Sequence, residues 1–181
     1  MPKAIMRSIT AFCFAAAIII NRLYFYFDRE IYLALGITFG TTAYHFGMRL
    51  LVGLLYDTIM KNQADYTRKW YQVHSYEEKL YHFLNVKKWK SKIPAYHPEY
   101  FSIKRHSWHE IAQVMCQAEL VHETNMLFSF LPLIAAKWFG SFYVFLITSI
   151  CGAIVDLPFV IVQRYNRMRI INFVNTKAAK T

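Results

Sequence analysis

Long runs of apolar residues divide the chain into four segments that are each long enough to cross a bilayer. They cover about residues 8–27, 31–56, 113–136 and 138–162, and a spanning helix needs about 20 consecutive, mainly apolar residues. The first two runs are separated by the short polar sequence 28–30, which predicts a helical hairpin. The pattern therefore predicts an all-α integral membrane protein with four transmembrane helices.

The first apolar run also has a feature of a signal peptide, because Lys3 and Arg7 precede it. Its apolar character continues to Phe27, well past the small residues near Ala15 that could form a cleavage site. We therefore expect an uncleaved first span. Glycines in the second run would let it approach the first run closely; they are Gly36, Gly40, Gly47 and Gly53.

Residues 57–112 have a different pattern, with ten Lys and Arg, six acidic residues and many Trp and Tyr. Such side chains favour the headgroup zone of a bilayer, which predicts an interfacial, amphipathic loop region. Near its end, Ser107 and Glu110 have the spacing of a capping box, the signature of a helix start. The tail, 163–181, holds five basic residues and no acidic one.

The distribution of basic residues predicts the orientation of the spans. Cytoplasmic segments of membrane proteins carry an excess of Lys and Arg. Both chain ends and the loop 57–112 are rich in these residues, whereas the short turns between spans hold only Arg29 and Lys137. We expect a multi-pass protein of the cell membrane with both termini and the loop on the cytoplasmic side.

Composition narrows the functional classes. Of 181 residues, 56% are hydrophobic, against roughly 45 to 50% in soluble domains, which argues against a soluble enzyme. The formal net charge is +10, but zinc-finger and phosphate-loop motifs are missing, so the bilayer or an anionic substrate is a better partner than nucleic acid. Three cysteines in apolar surroundings (Cys13, Cys116 and Cys151) predict free thiols.

The sharpest candidate catalytic residues are Glu119 and His122, which share a helix face at spacing i, i+3. A carboxylate there could orient the imidazole as a general base toward a hydroxyl group. Alternatively, Glu119 pairs with Arg49 or with an arginine of the tail, and His122 only fills space. A metal site with Glu123 is not expected, because no second His/Glu motif follows on another helix, and no cofactor is predicted.

Three arginines follow the fourth apolar run, at Arg164, Arg167 and Arg169. A stop-transfer anchor needs charge but no particular residue, whereas arginine at all three positions favours bidentate recognition of phosphate or carboxylate. We assign these arginines, with Tyr165 and Asn166 between them, to substrate binding.

Another basic cluster contains Lys88, Trp89 and Lys90. It would anchor the loop on anionic lipid, or dock an acidic acyl carrier or the phosphates of coenzyme A. Ionisable residues within spans are costly and are therefore functional candidates. Three of them are added to the predicted binding residues: His45, Arg49 and Asp156.

Several of these stretches together resemble a known family. They are 86–93, the sequence Ala118–His122, Pro132, and the run from Pro158 to Arg169. In order and spacing, over about residues 84–170, they are similar to the glycosyl-4,4'-diaponeurosporenoate acyltransferases.

The resemblance implies a membrane enzyme that esterifies a sugar hydroxyl of a glycosylated carotenoid acid with a fatty acyl chain. The acyl donor would be acyl-CoA or an acyl carrier protein, and the acceptor a glycolipid in the bilayer. In such a reaction the hypothesis drawn above from the spacing makes His122 the base and Glu119 the residue that orients it. The alternatives are a transferase for another glycolipid or isoprenoid lipid, and a lipid-binding subunit without activity, which a closed Arg–Glu network without a cavity would indicate.

Overall fold

A computed structural model describes residues 3–95 and 97–178, and within these ranges all regular structure is helical. Short 3₁₀ turns connect several of the α-helices. The α-helices are α1 (Lys3–Phe27), α2 (Glu30–Ile59), α3 (Ser75–Phe83), α4 (Val86–Trp89), α5 (Trp108–Phe128), α6 (Ala136–Phe139) and α7 (Phe142–Ala178). The all-α class predicted from the sequence is confirmed.

The chain forms two compact units. The first unit consists of the described residues up to Gly53 together with Thr124–Asp156, and the second of Leu54–Glu123 together with the described residues from Leu157 onward. Helices α2, α5 and α7 each contribute residues to both units. The three cysteines are free thiols, and two of them are buried.

In the first unit, α1 and α2 form the predicted hairpin. A Cβ atom built on Gly36 would lie 2.9 Å from the Asn21 amide nitrogen, and one on Gly47 would lie 3.6 Å from Thr10. Residue numbers rise along one helix as they fall along the other, so the helices run antiparallel. The Asn21 amide donates to the Ala17 carbonyl, which satisfies this polar group within α1.

A close approach at Gly152 supports a prediction about stability. A Cβ atom there would lie 2.7 Å from the ring of His45, which is itself 5% exposed. Overpacking costs about 1–3 kcal/mol, whereas replacing a helical glycine with alanine gains at most about 1 kcal/mol. We expect Gly152→Ala to lower the free energy of unfolding in detergent by about 1 kcal/mol.

The matched control is Gly53→Ala, because a Cβ atom on Gly53 meets no described atom within 4 Å. That change should stabilise the protein slightly. In a His45→Ala background, Gly152→Ala should lower the free energy of unfolding much less. Equal effects at the two glycines would contradict the close contact.

The helix that contains the start of the third predicted span, 113–136, begins at the predicted capping box but ends earlier than the span. Helix α5 starts at Trp108, where Ser107 and Glu110 form the predicted capping box: the Ser107 amide donates to Glu110 at 2.7 Å, and the Glu110 amide to Ser107 Oγ at 3.3 Å. It ends at Phe128. Pro132 lacks the N–H that a continuing helix requires, and a 3₁₀ turn follows.

The fourth predicted span, 138–162, also differs. Residues 136–139 form the separate helix α6, and α7 starts at Phe142 after a left-handed residue, Ser141. It then continues through Pro158 to Ala178. Most of the predicted tail, 163–181, is therefore helical; its last three residues lie outside the described ones.

Among the described residues, two helices rather than four are long and apolar enough to cross a membrane. They are the segments Ala4–Phe27 and Phe142–Thr176. Thr, His and Arg residues make α2 more polar, and acids and amides do the same in α5. Two such helices suggest membrane association only weakly, because a core helix or a signal sequence has the same length and composition.

Candidate active site

Two arginines of α7 meet two acidic side chains in the second unit. Arg164 binds Glu77 of α3 in a bidentate manner, with both distances at 2.8 Å, and donates to Glu119 of α5 at 2.5 Å. Arg167 donates to the other carboxylate oxygen of Glu119. We call these four residues the arginine cluster. It ties α3 and α5 to α7.

Backbone carbonyls add further acceptors for both guanidinium groups. Arg164 donates to the carbonyl oxygens of Trp70 and Gln72, each at 3.2 Å, and Arg167 to that of Tyr71 at 2.8 Å. The Arg167 guanidinium also lies over the ring of Tyr71, 5.1 Å from its centroid. The 3₁₀ turn at residues 69–71, with the adjoining Gln72, therefore supplies backbone acceptors to the cluster.

The arginine cluster is nearly closed to solvent. Glu119 and Arg167 are 0% exposed. Arg164 has five N–H donors, and five acceptors surround it. A substrate phosphate could therefore bind Arg164 only by displacing one of these partners. The cluster is thus better suited to holding the helices together than to binding a substrate.

The surroundings of Glu77 support a prediction about acid stability. Burial by itself would raise the pKa of this carboxyl group, but hydrogen bonds from Arg164, Tyr81 and the His74 amide outweigh it and hold the pKa at about 2, against an ordinary 4.5. Because the folded pKa is the lower one, the stabilisation is complete above about pH 4.5 and is lost as the pH falls toward 2. It amounts to no more than about 3 kcal/mol.

We therefore expect the melting temperature in detergent to fall between pH 4.5 and 2, and to fall less steeply in Glu77→Gln. Thermal unfolding of both proteins across this range measures the difference. An equal acid sensitivity would mean that Glu77 does not carry this stabilisation.

The predicted catalytic residues lie one helical turn apart on α5, in different surroundings. Both carboxylate oxygens of Glu119 are bonded to guanidinium groups, so the pairing with tail arginines, one of the alternatives left open by the sequence, is present. His122 is partly exposed. Its ring stacks on Phe159 of α7, with centroids 4.6 Å apart and planes inclined by 14°.

Phe159 is also part of the wall of a cavity in the second unit with a volume of about 610 Å³. Most of the wall is apolar and comes from α5, α7 and the segment that follows α4. It includes Ile111 and Met115 of α5, and Val162 and Phe173 of α7. Pockets of about 300–1,000 Å³ with apolar walls and a few polar groups are typical of small-molecule sites.

The polar part of the cavity wall is cationic. Lys90, Arg169, Asn166 and Gln163 contribute to it, and no described Asp or Glu does. Lys90 donates to Asn166 Oδ1 at 2.5 Å. The ring of Tyr165 lies close to both cations, 5.0 Å from Lys90 and 5.9 Å from Arg169.

The other predicted residues of the basic cluster are outside this wall. Lys88 is exposed, and the Trp89 indole donates to the Leu84 carbonyl at 2.9 Å. Neither lines the cavity. The structure thus joins Lys90, Asn166 and Arg169 around one cavity and gives Arg164 and Arg167 buried protein partners instead.

The remaining predicted binding residues lie in the first unit. Arg49 forms an ion pair with Asp156 at 2.5 Å and donates to the carbonyls of His45 and Gly152. The amide of Asn125 donates to Asp156 at 3.3 Å. The predicted alternative in which Glu119 pairs with Arg49 is therefore wrong, because Arg49 pairs with Asp156.

Sequence reasoning missed several residues of this site. Glu77 of the cluster and Met115 of the cavity had no motif that would mark them. Phe159 and Gln163 lie in the run from Pro158 to Arg169 that carries the resemblance, but nothing in that run marks them as cavity residues. Their roles depend on contacts between distant parts of the chain. No group of three or more His, Cys, Asp or Glu among the described residues is arranged to hold a metal ion.

A comparison with known protein families identifies the family of the chain. A family model described as glycosyl-4,4'-diaponeurosporenoate acyltransferase matches residues 67–176, more than half of the chain, and this range contains the arginine cluster, His122 and the cavity. No curated protein and no solved structure matches the chain.

Proposed function

Because the chain belongs to the glycosyl-4,4'-diaponeurosporenoate acyltransferase family, we propose that it transfers a fatty acyl chain from a thioester donor to a sugar hydroxyl of a glycosylated carotenoid acid. The family name itself specifies the reaction, acyl transfer, and the kind of acceptor, a carotenoid glycoside. The donor type, the acylated hydroxyl and the residues that act are our proposal.

The observation that carries the proposal is the cavity of the second unit. Its apolar wall, with Met115, Phe159 and Val162, suits an acyl chain, and its cationic edge suits a polar headgroup. His122 does not itself line the cavity. It stacks on Phe159, which does, so one aromatic side chain separates the candidate base from the cavity, and we propose that the reacting thioester lies on the His122 side of Phe159.

In the proposed reaction, His122 takes the proton of the sugar hydroxyl group as its oxygen attacks the thioester carbonyl carbon. A new C–O ester bond forms and the C–S bond breaks. The departing sulfur takes the proton back from the imidazolium and leaves as a thiol. The products are the ester and the free thiol, and no further reactant is needed.

We propose that Glu119 acts by fixing the position of His122 and not in the chemical step. Its ion pairs to Arg164 and Arg167 fix α5 against α7, and this contact brings His122 to Phe159. Orientation of the imidazole by Glu119, which the spacing of the two residues predicts, would then be indirect. The charge pattern supports a location in the cell membrane with both termini on the cytoplasmic side.

The test is ester formation by the purified protein in detergent, with a glycosylated diaponeurosporenoate as acceptor and palmitoyl-CoA as donor. Mass spectrometry should detect an acceptor whose mass has risen by that of palmitic acid less one water. A boiled sample and a sample without donor are the controls. An unchanged acceptor with every thioester donor tried would overturn the proposal.

A second candidate function is lipid binding without chemistry, and the closed arginine cluster favours it. In that case Glu119 and both arginines serve the fold alone. The protein would bind the carotenoid glycoside with unchanged affinity in the presence of the donor, and the same mass-spectrometric assay would detect no ester.

A further inference from the structure

The cationic part of the cavity wall has no acidic partner among the residues that the structure describes. Lys90 and Arg169 lie 5.0 Å and 5.9 Å from the centre of the Tyr165 ring, and neither forms an ion pair with a carboxylate among the described residues. The polar neighbour of Lys90 is the neutral amide of Asn166. Arg164 and Arg167, in contrast, are bonded to carboxylates and backbone carbonyls.

Two neighbouring cations without an acid repel each other, and a partly buried lysine also loses hydration. Consistent with this, burial and the charge of Arg169 both lower the pKa of Lys90. Such an arrangement is relieved when an anion binds between the cations. Phosphate suits the site, because Arg169 can offer a planar fork of donors and Lys90 a point charge.

The composition of the cavity wall, mostly apolar with two cations, indicates the class of ligand. A molecule that matches it combines a long apolar chain with a phosphate group. Palmitoyl-CoA and acylated carrier proteins share this chemistry, since both carry the acyl chain on a phosphopantetheine thioester. The carotenoid glycoside has no phosphate and is not expected to contact these cations.

Resting on the proposed function, we propose that Lys90 and Arg169, both in the cavity wall, bind the phosphate of a phosphopantetheine thioester whose acyl chain lies in the cavity. The sulfur and the phosphate lie at opposite ends of the pantetheine arm. The two cations therefore act in binding and not in the chemical step. Asn166 fixes Lys90 at the edge of the cavity.

The test compares three donors with the same acyl chain: palmitoyl-CoA, a palmitoylated acyl carrier protein, and the phosphate-free palmitoyl N-acetylcysteamine thioester. In Lys90→Gln and Arg169→Gln, KM for a phosphorylated donor should rise roughly tenfold, the loss expected for one charge-assisted hydrogen bond. KM for the phosphate-free thioester should change less than twofold, and kcat should be retained. Whichever phosphorylated donor shows the effect identifies the source of the phosphopantetheine.

The controls are Lys79→Gln and Arg105→Gln, which remove exposed cations outside the cavity wall. Both should keep the KM of wild type for every donor. Equal rises in KM for phosphorylated and phosphate-free thioesters would overturn phosphate recognition while leaving the transferase function intact.

Binding gives a readout that does not require turnover. A non-reactive thioether analogue of palmitoyl-CoA should bind wild type roughly tenfold more tightly than either cavity variant, by equilibrium dialysis in detergent. Equal binding by wild type and both variants would overturn the proposal even if no ester forms. Thermal unfolding of each variant establishes that it is folded, and Lys90→Gln retains a donor for Asn166.

Discussion

Replacing Glu119 with glutamine is expected to destabilise the protein by about 3 kcal/mol or more, the cost of breaking a buried ion pair from one side. Arg164 would keep Glu77, but the buried Arg167 would lose its carboxylate partner. The guanidinium charge would then remain in a site with 0% exposure. Chemical unfolding in detergent measures the loss.

Glu78→Gln is the matched control, because it makes the same chemical change at an exposed residue of α3. Its effect should stay within about 0.5 kcal/mol. An Arg167→Met variant in the Glu119→Gln background should recover part of the stability, since an uncharged side chain removes the unpaired charge. Equal effects of Glu119→Gln and Glu78→Gln would show that the arginine cluster does not hold the helices together.

Replacing His122 with alanine is expected to reduce kcat for ester formation by about 10²–10⁴-fold, the usual contribution of a general base. The KM for the acyl donor should change little, because the proposed donor contacts lie at Lys90 and Arg169. Initial rates of ester formation, measured by mass spectrometry with both substrates saturating, give kcat. His122→Ala should still unfold cooperatively.

His109→Ala provides the control for this change. His109 is on the same helix, is exposed, and contacts Tyr66 at 2.5 Å away from the cavity wall. It should retain the kcat of wild type within about twofold. If both histidine variants keep full turnover while folded, another group must accept the proton of the hydroxyl.

The sequence predicted local structure well where the signal itself is local. The capping box at Ser107 marks the start of α5 because both of its hydrogen bonds form within four residues. The α1–α2 hairpin followed from two apolar runs and a three-residue turn. The length of α5 did not follow, because apolar residues continue past Phe128 while Pro132 interrupts the hydrogen bonding.

The composition of the arginine cluster could be predicted only in part. Pairing of Glu119 with a tail arginine was one of two open alternatives, and spacing along the chain cannot choose between partners 45 residues or more apart. Glu77, 87 residues from Arg164, had no sequence signal at all. Its role arises because α3 packs beside α7, a tertiary contact that no local pattern encodes.

The different environments of the three arginines could not be predicted from the sequence either. Arg164, Arg167 and Arg169 are close together in one motif, yet two of them point to buried acids and the third lies at the edge of the cavity. Helical geometry separates them, because three residues turn a helix by about 300° and five by about 500°. Which side of the helix meets acids depends on the packing of α3 and α5.

Photolabelling tests most directly whether the acyl chain of the donor lies in the cavity beside His122. A palmitoyl-CoA analogue with a diazirine on the chain is irradiated with the protein, and the labelled residues are mapped by peptide mass spectrometry. We expect labelling at Met115, Phe159 or their neighbours, and excess palmitoyl-CoA should suppress it. Competed labelling confined to the groove lined by Phe14, Asn21 and Gly40 in the first unit would contradict the proposed site.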